Sequence, residues 1–192
     1  GPRLQSRFDS PHGLCIGASG DVIVADSGNH CIRSISASFV TTVAGVGHRA
    51  GFLDGKINVA LFHFPTDVAQ FGDRIYVADS ANHRVRMIRG GDVFTVVGNG
   101  VGGMMNGALN NSRRCFPSSI CVGIEGEIYI ADTANNAIRV AREMEAASDD
   151  SMSMEVEPSS SQAEGELAVR FPPLSEIQHL NSESDVTWTH QP

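Results

Sequence analysis

One heptapeptide recurs three times along the chain at a constant spacing. The copies read Val-Ala-Asp-Ser-Gly-Asn-His, Val-Ala-Asp-Ser-Ala-Asn-His and Ile-Ala-Asp-Thr-Ala-Asn-Asn, and they begin at Val24, Val77 and Ile130. Both steps are therefore 53 residues long. A fixed period of this size indicates a modular array in which one small structural unit is built repeatedly.

Each unit reads as a set of short strands separated by turns. Apolar, β-branched runs alternate with turn signals such as Ser19-Gly20-Asp21, and the runs are too short for helices. The predicted strands cover residues 14–16, 22–25, 31–35 and 39–44, then 67–70, 74–78, 84–88 and 93–97, then 120–123, 127–131 and 137–140. A fourth strand of the third unit is expected near residues 145–151, but this acidic stretch of small residues carries no recognisable strand signal.

A single four-stranded sheet with little helix around it cannot bury both of its faces. Sheets arranged radially bury each face against a neighbour, which favours a β-propeller. We therefore predict an all-β fold of propeller blades, four-stranded antiparallel meanders, within residues 1–142 at about 8–59, 60–113 and 114–142. Long Gly-rich connections at 45–64 and 98–116 carry the tight-turn dipeptides Asp54-Gly55 and Asn106-Gly107.

The chain changes character at residue 143. Residues 1–142 hold 13 Lys and Arg against 11 Asp and Glu, whereas residues 143–192 hold 1 against 11. Such a charged, weakly hydrophobic segment buries too little surface to offset chain entropy, so we predict a largely disordered acidic, Ser-rich tail. Residues 167–180, which include Phe171-Pro172-Pro173-Leu174, are more apolar and could form a short docking segment, but a disordered tail with incidental apolar residues is the favoured interpretation. Ser161 and Ser182 each have an acidic residue three positions later, a weak phosphorylation signal.

The fullest copy of the repeat identifies a family. Residues 74–86 read Arg-Ile-Tyr-Val-Ala-Asp-Ser-Ala-Asn-His-Arg-Val-Arg, and with the other two copies this pattern resembles the NHL repeat over about residues 8–142. The third letter of the name is Leu, whereas this chain has Cys31, Arg84 and Ala137 there. The resemblance implies propeller blades, usually six in a ring. Three blades make a partial ring, so we expect the rest of the parent chain to supply the missing blades.

Three polar positions keep a fixed spacing in every copy. An Asp ends the second strand, an Asn follows three residues later and an Arg follows seven residues after the Asp. The Asp and Asn suit a turn, and the Arg returns on the next strand with a forked set of donors. Because every unit uses them identically, we predict a structural clasp rather than ligands at Asp26, Asn29, Arg33, Asp79, Asn82, Arg86, Asp132, Asn135 and Arg139.

No catalytic constellation is evident, and we predict no catalytic residue, cofactor or metal site. The four cysteines lack the CxxC spacing of zinc fingers and suit core or incidental positions, although their pairing stays open. His12, His48 and His63 lie in loops and could meet in a metal or acid–base site. Residues 98–103 fit GxGxxG formally, but no helix signal follows them, as a dinucleotide site would require.

These features favour a non-enzymatic scaffold that binds a protein partner through the strand-end loops. One alternative is RNA binding through a basic face formed by Arg84, Arg89, Arg113 and Arg114. A further alternative follows from the resemblance, which includes metal-dependent lyases and hydrolases. The sequence has no run of 18 apolar residues and no visible secretory signal, so we expect no membrane span and favour a cytoplasmic location.

Overall fold

Antiparallel β-sheets make up the structure throughout. The structure is a computed structural model, and it describes residues 1–105, 112–113, 115–143 and 154–159. Within these residues the chain forms three sheets of four, five and four strands, and its only helical segments are three-residue 3-10 turns. None of the described helical segments is long and apolar enough to cross a membrane. The predicted all-β class is confirmed.

The first sheet is a simple meander. Its strands pair in chain order, each antiparallel to the next. The β-branched run Val22–Val24 supplies its second strand, as expected from the pleated packing that such residues favour. The four strands are β1 (Pro11–Ile16), β2 (Val22–Asp26), β3 (Cys31–Ile35) and β4 (Val40–Ala44).

The second sheet has one strand more than the sequence predicts. The additional strand, β5 (Gly55–Lys56), comes from the long connection and pairs with the outer edge of the sheet, where Lys56 Nζ lies 2.8 Å from the carboxylate of Asp92. Two residues are too few for a periodic signal, so the pattern could not predict this strand. The remaining strands are β6 (Pro65–Phe71), β7 (Arg74–Asp79), β8 (Arg84–Arg89) and β9 (Asp92–Val97).

The third sheet corrects the sequence analysis at its last strand. Its strands are β10 (Pro117–Val122), β11 (Ile128–Asp132), β12 (Ala137–Glu143) and β13 (Met154–Ser159). The fourth strand was expected near residues 145–151, but β13 starts several residues later and pairs antiparallel with β12. Met154 and Val156 alternate with acidic residues, a period-two pattern hidden by the acidic composition. Apart from Glu143, which ends β12, and from β13, the predicted tail lies outside the described residues.

The three sheets stack face to face through their first strands. Strand β6 lies between β1 and β10. Because side chains alternate along a strand, Val68 packs with Ile23 toward the first sheet, and its neighbour Ala69 packs with Ile120 toward the third. Full burial of one such aliphatic side chain contributes about 1.5–3 kcal/mol. This stacking is the arrangement of adjacent propeller blades.

Candidate functional site: the clasp between blades

The second blade carries the clearest copy of the clasp. Asp79 ends β7, and its fully buried carboxylate accepts three hydrogen bonds. Its Oδ1 accepts the backbone N–H of His63 at 2.8 Å, while Oδ2 accepts Asn82 Nδ2 and Arg86 Nη1, both at 2.8 Å. Burial raises the pKa of Asp79, and the charge of Arg86 and these hydrogen bonds oppose that rise.

The first and third blades repeat this geometry. Asp26 accepts the backbone N–H of Asp9 at 2.8 Å, and Asp132 accepts that of Cys115 at 2.7 Å. Their second carboxylate oxygens accept the Asn side chain three residues on, at 2.9 and 2.8 Å, and the Arg side chain seven residues on, at 3.2 and 3.1 Å. Each Asp therefore fixes the turn of its own blade to the segment that leads into that blade.

The Arg and Asn of the clasp also hold the connection that precedes the blade. Arg86 donates to the carbonyl oxygens of Leu53 and Leu61 at 2.8 and 3.0 Å, and its Nε and Nη2 both donate to Asp54. In the third blade, Arg139 donates to the carbonyl oxygens of Met105 and Arg113. Asn82 and Asn135 donate to the carbonyl oxygens of Gly51 and Gly103. In each of the three groups the Asp thus fastens its blade to the segment that leads into it, and in the second and third groups the Arg and Asn also bind the preceding connection.

A second contact at each joint comes from a histidine that the sequence analysis treats only as a turn residue. His30 and His83 follow the 3-10 turns in a left-handed conformation, at φ 56° and 54°. The Nδ1 atom of His30 accepts the backbone N–H of Phe64, and that of His83 accepts the N–H of Phe116, both at 3.1 Å. In both blades a His is followed more than 30 residues later by a Phe-Pro pair, His30 by Phe64-Pro65 and His83 by Phe116-Pro117. This recurrence is the sequence signal that could have identified the contact.

These contacts require neutral imidazoles with the proton on Nε2. Burial lowers the pKa of His30, and nearby His63 and His48 lower it further, while Asp9 raises it. Burial also lowers the pKa of His83, with a further decrease from Arg84 and an opposing increase from Asp132. The environment of each ring therefore favours the acceptor form.

Of the three histidines considered as a metal or acid–base set, His48 and His63 both lie near His30, whereas His12 lies in β1. His63 packs its ring edge against His30, with centroids 5.7 Å apart, and the backbone N–H of His48 donates to the carbonyl of Asn29. His12 lies in β1 and is exposed. In the part of the chain that the structure describes, no three His, Cys, Asp or Glu side chains are grouped so that they could hold a metal ion.

Two basic residues of the RNA-binding alternative, Arg84 and Arg89, lie apart on the second blade. Arg84 begins β8 and Arg89 ends it, which separates them by about 16 Å at the rise of a strand. The guanidinium of Arg84 stacks on the ring of Phe52 at 3.7 Å and donates to the carbonyl of Asn99, while Arg89 pairs with Asp73 at 2.8 Å. Arg113 is exposed, and Arg114 lies outside the described residues.

The cysteines and the Gly-rich loop are part of the blade framework. All four cysteines are free, and burial raises the pKa of Cys31 to about 11. The GxGxxG stretch is the connection after β9, where Gly98 has φ 96° and lies against the carbonyl of His83. No helix follows the stretch among the residues described up to position 105.

The entrance of each later blade exposes a phenylalanine. Phe64 precedes β6 and Phe116 precedes β10, both in a left-handed conformation at φ 52° and 51°. Their side chains are 41% and 50% exposed. The hydroxyl of Thr66 donates to the carbonyl of Pro117 at 3.2 Å, so the two entrances lie side by side at the same end of neighbouring blades.

Comparison with known proteins agrees with this geometry. The profile of the NHL repeat matches residues 8–33, 62–87 and 115–141, one match per blade. The chain is 30% identical to NHL repeat-containing protein 2 of Bos taurus over 154 residues, covering 71% of this chain and 21% of that protein. It is 31% identical to Protein SUPPRESSOR OF QUENCHING 1, chloroplastic, of Arabidopsis thaliana, covering 70% of this chain and 14% of that one. The chain thus spans about a fifth or less of these relatives.

Two solved structures share the fold. A protein of unknown function from Bacteroides thetaiotaomicron superimposes with a TM-score of 0.65 at 21% identity, covering 81% of this chain and 38% of that one. An auxiliary nutrient binding protein from Bacteroides ovatus superimposes with a TM-score of 0.61 at 19% identity, covering 81% of this chain and 39% of that one. At these identities the likeness concerns the fold alone.

Proposed function

This chain belongs to the NHL-repeat family, and from that premise we propose that it is a non-catalytic scaffold that binds a protein partner. The partner contacts the end of the blades where the connections enter. The repeated exposure of Phe64 and Phe116 at two adjacent blade entrances carries this proposal. An exposed aromatic side chain is a frequent anchor of protein interfaces.

The backbone at these two positions strengthens the argument. A left-handed conformation is unfavourable for a bulky non-Gly residue, and such local strain concentrates at functional sites. Here a hydrogen bond from each strained N–H to His30 or His83 holds the conformation. The joint therefore holds an exposed aromatic residue in a left-handed backbone conformation that is unfavourable in free energy. Asn or Gly at the same position would adopt this conformation more readily.

In this proposal the polar residues of the joint support the scaffold. Each clasp carboxylate is buried and accepts three donors, so it supports the scaffold and leaves recognition to residues that differ between blades. Non-equivalent residues on a repeated framework are the usual basis of specificity. We accordingly assign partner selection to the connections at 45–64 and 98–105, and the exposed phenylalanines provide the same anchor at both blade entrances.

The experiment crosslinks the unchanged chain, a double variant and a control variant to their partners, and compares how much partner each form captures. The double variant Phe64→Asn, Phe116→Asn removes both rings, and Asn tolerates the left-handed backbone, as Asn136 does at φ 51°. The control is Phe94→Asn, because Phe94 is 45% exposed but lies in the outer strand β9. The proposal expects partners to be lost from the double variant alone. Equal capture by all three forms, each with a native circular dichroism spectrum, would refute it.

A further inference from the structure

An arginine without a carboxylate partner lies at the end of the blades where the connections enter. Arg84 begins β8, directly after the clasp turn of the second blade. Its guanidinium stacks on the ring of Phe52 at 3.7 Å, and Phe52 is 43% exposed. Within the described residues, no Asp or Glu side chain forms an ion pair with Arg84. The second blade therefore presents an unpaired cation against an exposed aromatic ring.

Backbone contacts hold the guanidinium of Arg84 in one place. Its Nη1 donates to the carbonyl oxygen of Asn82 at 3.0 Å, and its Nη2 donates to that of Asn99 at 2.8 Å. A Cβ atom at Gly100 would collide with Nη1, so the missing side chain at that position makes room for the cation. The remaining N–H donors of the guanidinium are left for a ligand. A donor fork that is already fixed loses little conformational entropy when a ligand binds.

The carboxylates that act on Arg84 from a distance belong to the clasp. Burial lowers the pKa of Arg84 and the charge of Arg86 lowers it further, whereas Asp79 and Asp54 raise it. Both of these carboxylates accept hydrogen bonds from Arg86. A carboxylate supplied by a ligand would compensate the charge of Arg84 at a partly desolvated position, where such a pair is stronger than in bulk water.

A second exposed ring extends this surface to the entrance of the third blade. His83, the neighbour of Arg84, packs edge to face with Phe116, and the two ring centroids lie 4.6 Å apart. Phe116 is itself exposed, so the apolar groups of a ligand can pack beside the cation. Aromatic residues and arginine are the residue types enriched in protein interfaces. Phe52, Arg84 and Phe116 are called the arginine surface below.

The stacked pair of Arg84 and Phe52 is particular to the second blade. The other two blades have Cys31 and Ala137 at the position of Arg84. Phe52 directly precedes the residue whose carbonyl oxygen binds the clasp Arg, and Met104 takes that place in the third blade. Residues that differ between the copies of a repeated framework are the usual basis of specificity.

On the basis of the proposed function, we propose that the arginine surface binds an acidic, apolar peptide segment of the protein partner. A carboxylate of the segment pairs with the free donors of Arg84, and apolar side chains pack on Phe52 and Phe116. RNA fits the surface less well, because its binding depends on several phosphate contacts. Arg89, at the other end of β8, already pairs with Asp73 and cannot extend the surface.

A peptide selection on the full chain tests this proposal. A random library of short displayed peptides is selected on the unchanged chain and on the variant Arg84→Gln, which removes the cation and keeps a polar side chain. The proposal expects the unchanged chain to enrich peptides that combine Asp or Glu with apolar residues, and Arg84→Gln to lose this acidic enrichment. The control variant Arg89→Gln, at the other end of the same strand, should keep it.

The affinity of the most enriched peptide gives a second measurement. The peptide is synthesised with a fluorescent label, and its dissociation constant is measured by fluorescence anisotropy. We expect Arg84→Gln to weaken binding about 10-fold or more, as the loss of one charge-assisted interaction predicts. Arg84→Lys should also weaken binding, because lysine keeps the charge but lacks the planar donor fork. Circular dichroism verifies that each variant has the native fold.

The possible results distinguish the arginine surface from the proposed function. Enrichment of peptides without an acidic bias, or an acidic bias that Arg84→Gln retains, would overturn the role of Arg84 but still support protein binding. Enrichment of no peptide above an unrelated protein would overturn both. Displacement of the peptide by single-stranded oligouridine that binds more tightly would assign the surface to nucleic acid and overturn the peptide proposal.

Discussion

The carboxylate of Asp79 lies 2.8 Å from the guanidinium of Arg86, and both side chains are fully buried. Such a pair stabilises a fold only where further hydrogen bonds satisfy its remaining atoms, because desolvation of two charges is costly. Here His63 and Asn82 complete the carboxylate, and two backbone carbonyls with Asp54 complete the guanidinium. The pair therefore links a turn, a strand and a connection into one unit.

Removal of Asp79 should leave the buried charge of Arg86 under-compensated. We expect Asp79→Ala to lower the free energy of unfolding by about 3–5 kcal/mol, the usual cost of breaking a buried ion pair. Urea unfolding followed by circular dichroism measures this change. The matched control is Asp73→Ala, because Asp73 pairs with Arg89 at the same 2.8 Å but on the surface. Similar losses in the two variants would contradict the clasp role.

A second prediction, of a smaller loss in the free energy of unfolding, concerns the carboxylate of Asp54. Asp54→Asn keeps the shape of the side chain but removes the charged acceptor of Arg86 and of the Thr95 N–H. We expect a loss of about 1.5–3 kcal/mol, the range for hydrogen bonds to charged groups. The comparison is Asp92→Asn, whose partner Lys56 is 70% exposed and whose loss should stay below about 1 kcal/mol. If Asp92→Asn lost more free energy of unfolding than Asp54→Asn, the contact between Asp54 and Arg86 would not be what holds the connection.

Much of this fold could be predicted from the sequence because the repeat supplies the same information three times. The strands expected in the three units, except the fourth strand of the third, lie within a few residues of those in the structure. The second strand of each blade is the clearest case, since a β-branched run ends at an Asp in all copies. The clasp residues could be listed for the same reason, although the segment that each one holds depends on contacts between residues 25 or more positions apart.

The remaining features depend on tertiary context. Strand β5 exists because the connection folds back on β9, and no two-residue pattern indicates that path. The acceptor role of His83 depends on the placement of Phe116, 33 residues later. Strand β13 has a composition typical of a solvated tail, and its pairing with β12 decides its conformation. In each case a long-range contact determines the structure and local propensity does not.

A substitution at Gly98 tests how closely the connection after β9 approaches the second blade. A Cβ atom there would lie 2.5 Å from the carbonyl oxygen of His83, and the backbone has a φ of 96°. We expect Gly98→Ala to lower the thermal midpoint clearly more than Gly72→Ala does. Gly72 also has a positive φ, 56°, but nothing lies within 4 Å of its added Cβ, so its substitution isolates the conformational cost of about 1–2 kcal/mol. Equal shifts in differential scanning calorimetry would refute the close approach.

The last expectation concerns the histidine contact at the joint of the second and third blades. His83 accepts the Phe116 N–H only while its Nδ1 is unprotonated, and burial lowers its pKa in the folded state. The unfolded chain therefore binds this proton more readily, with a pKa near 6.5. Stability from this group is fully present above about pH 6.5 and is lost as the pH falls through the lowered folded-state value. Arg84 strengthens this dependence and Asp132 weakens it.

The variant His83→Asn should separate this contribution from the other titrating groups. Asn fits the left-handed backbone, as Asn136 does in the third blade, but it does not titrate. We expect the variant to melt below the wild type at pH 7.5 and the gap to narrow by pH 5, since the wild type alone loses the contact on acidification. The control variant is His12→Asn, which replaces a histidine at an exposed position in β1. A gap of constant size between pH 5 and 7.5 would show that protonation of His83 does not act on the joint.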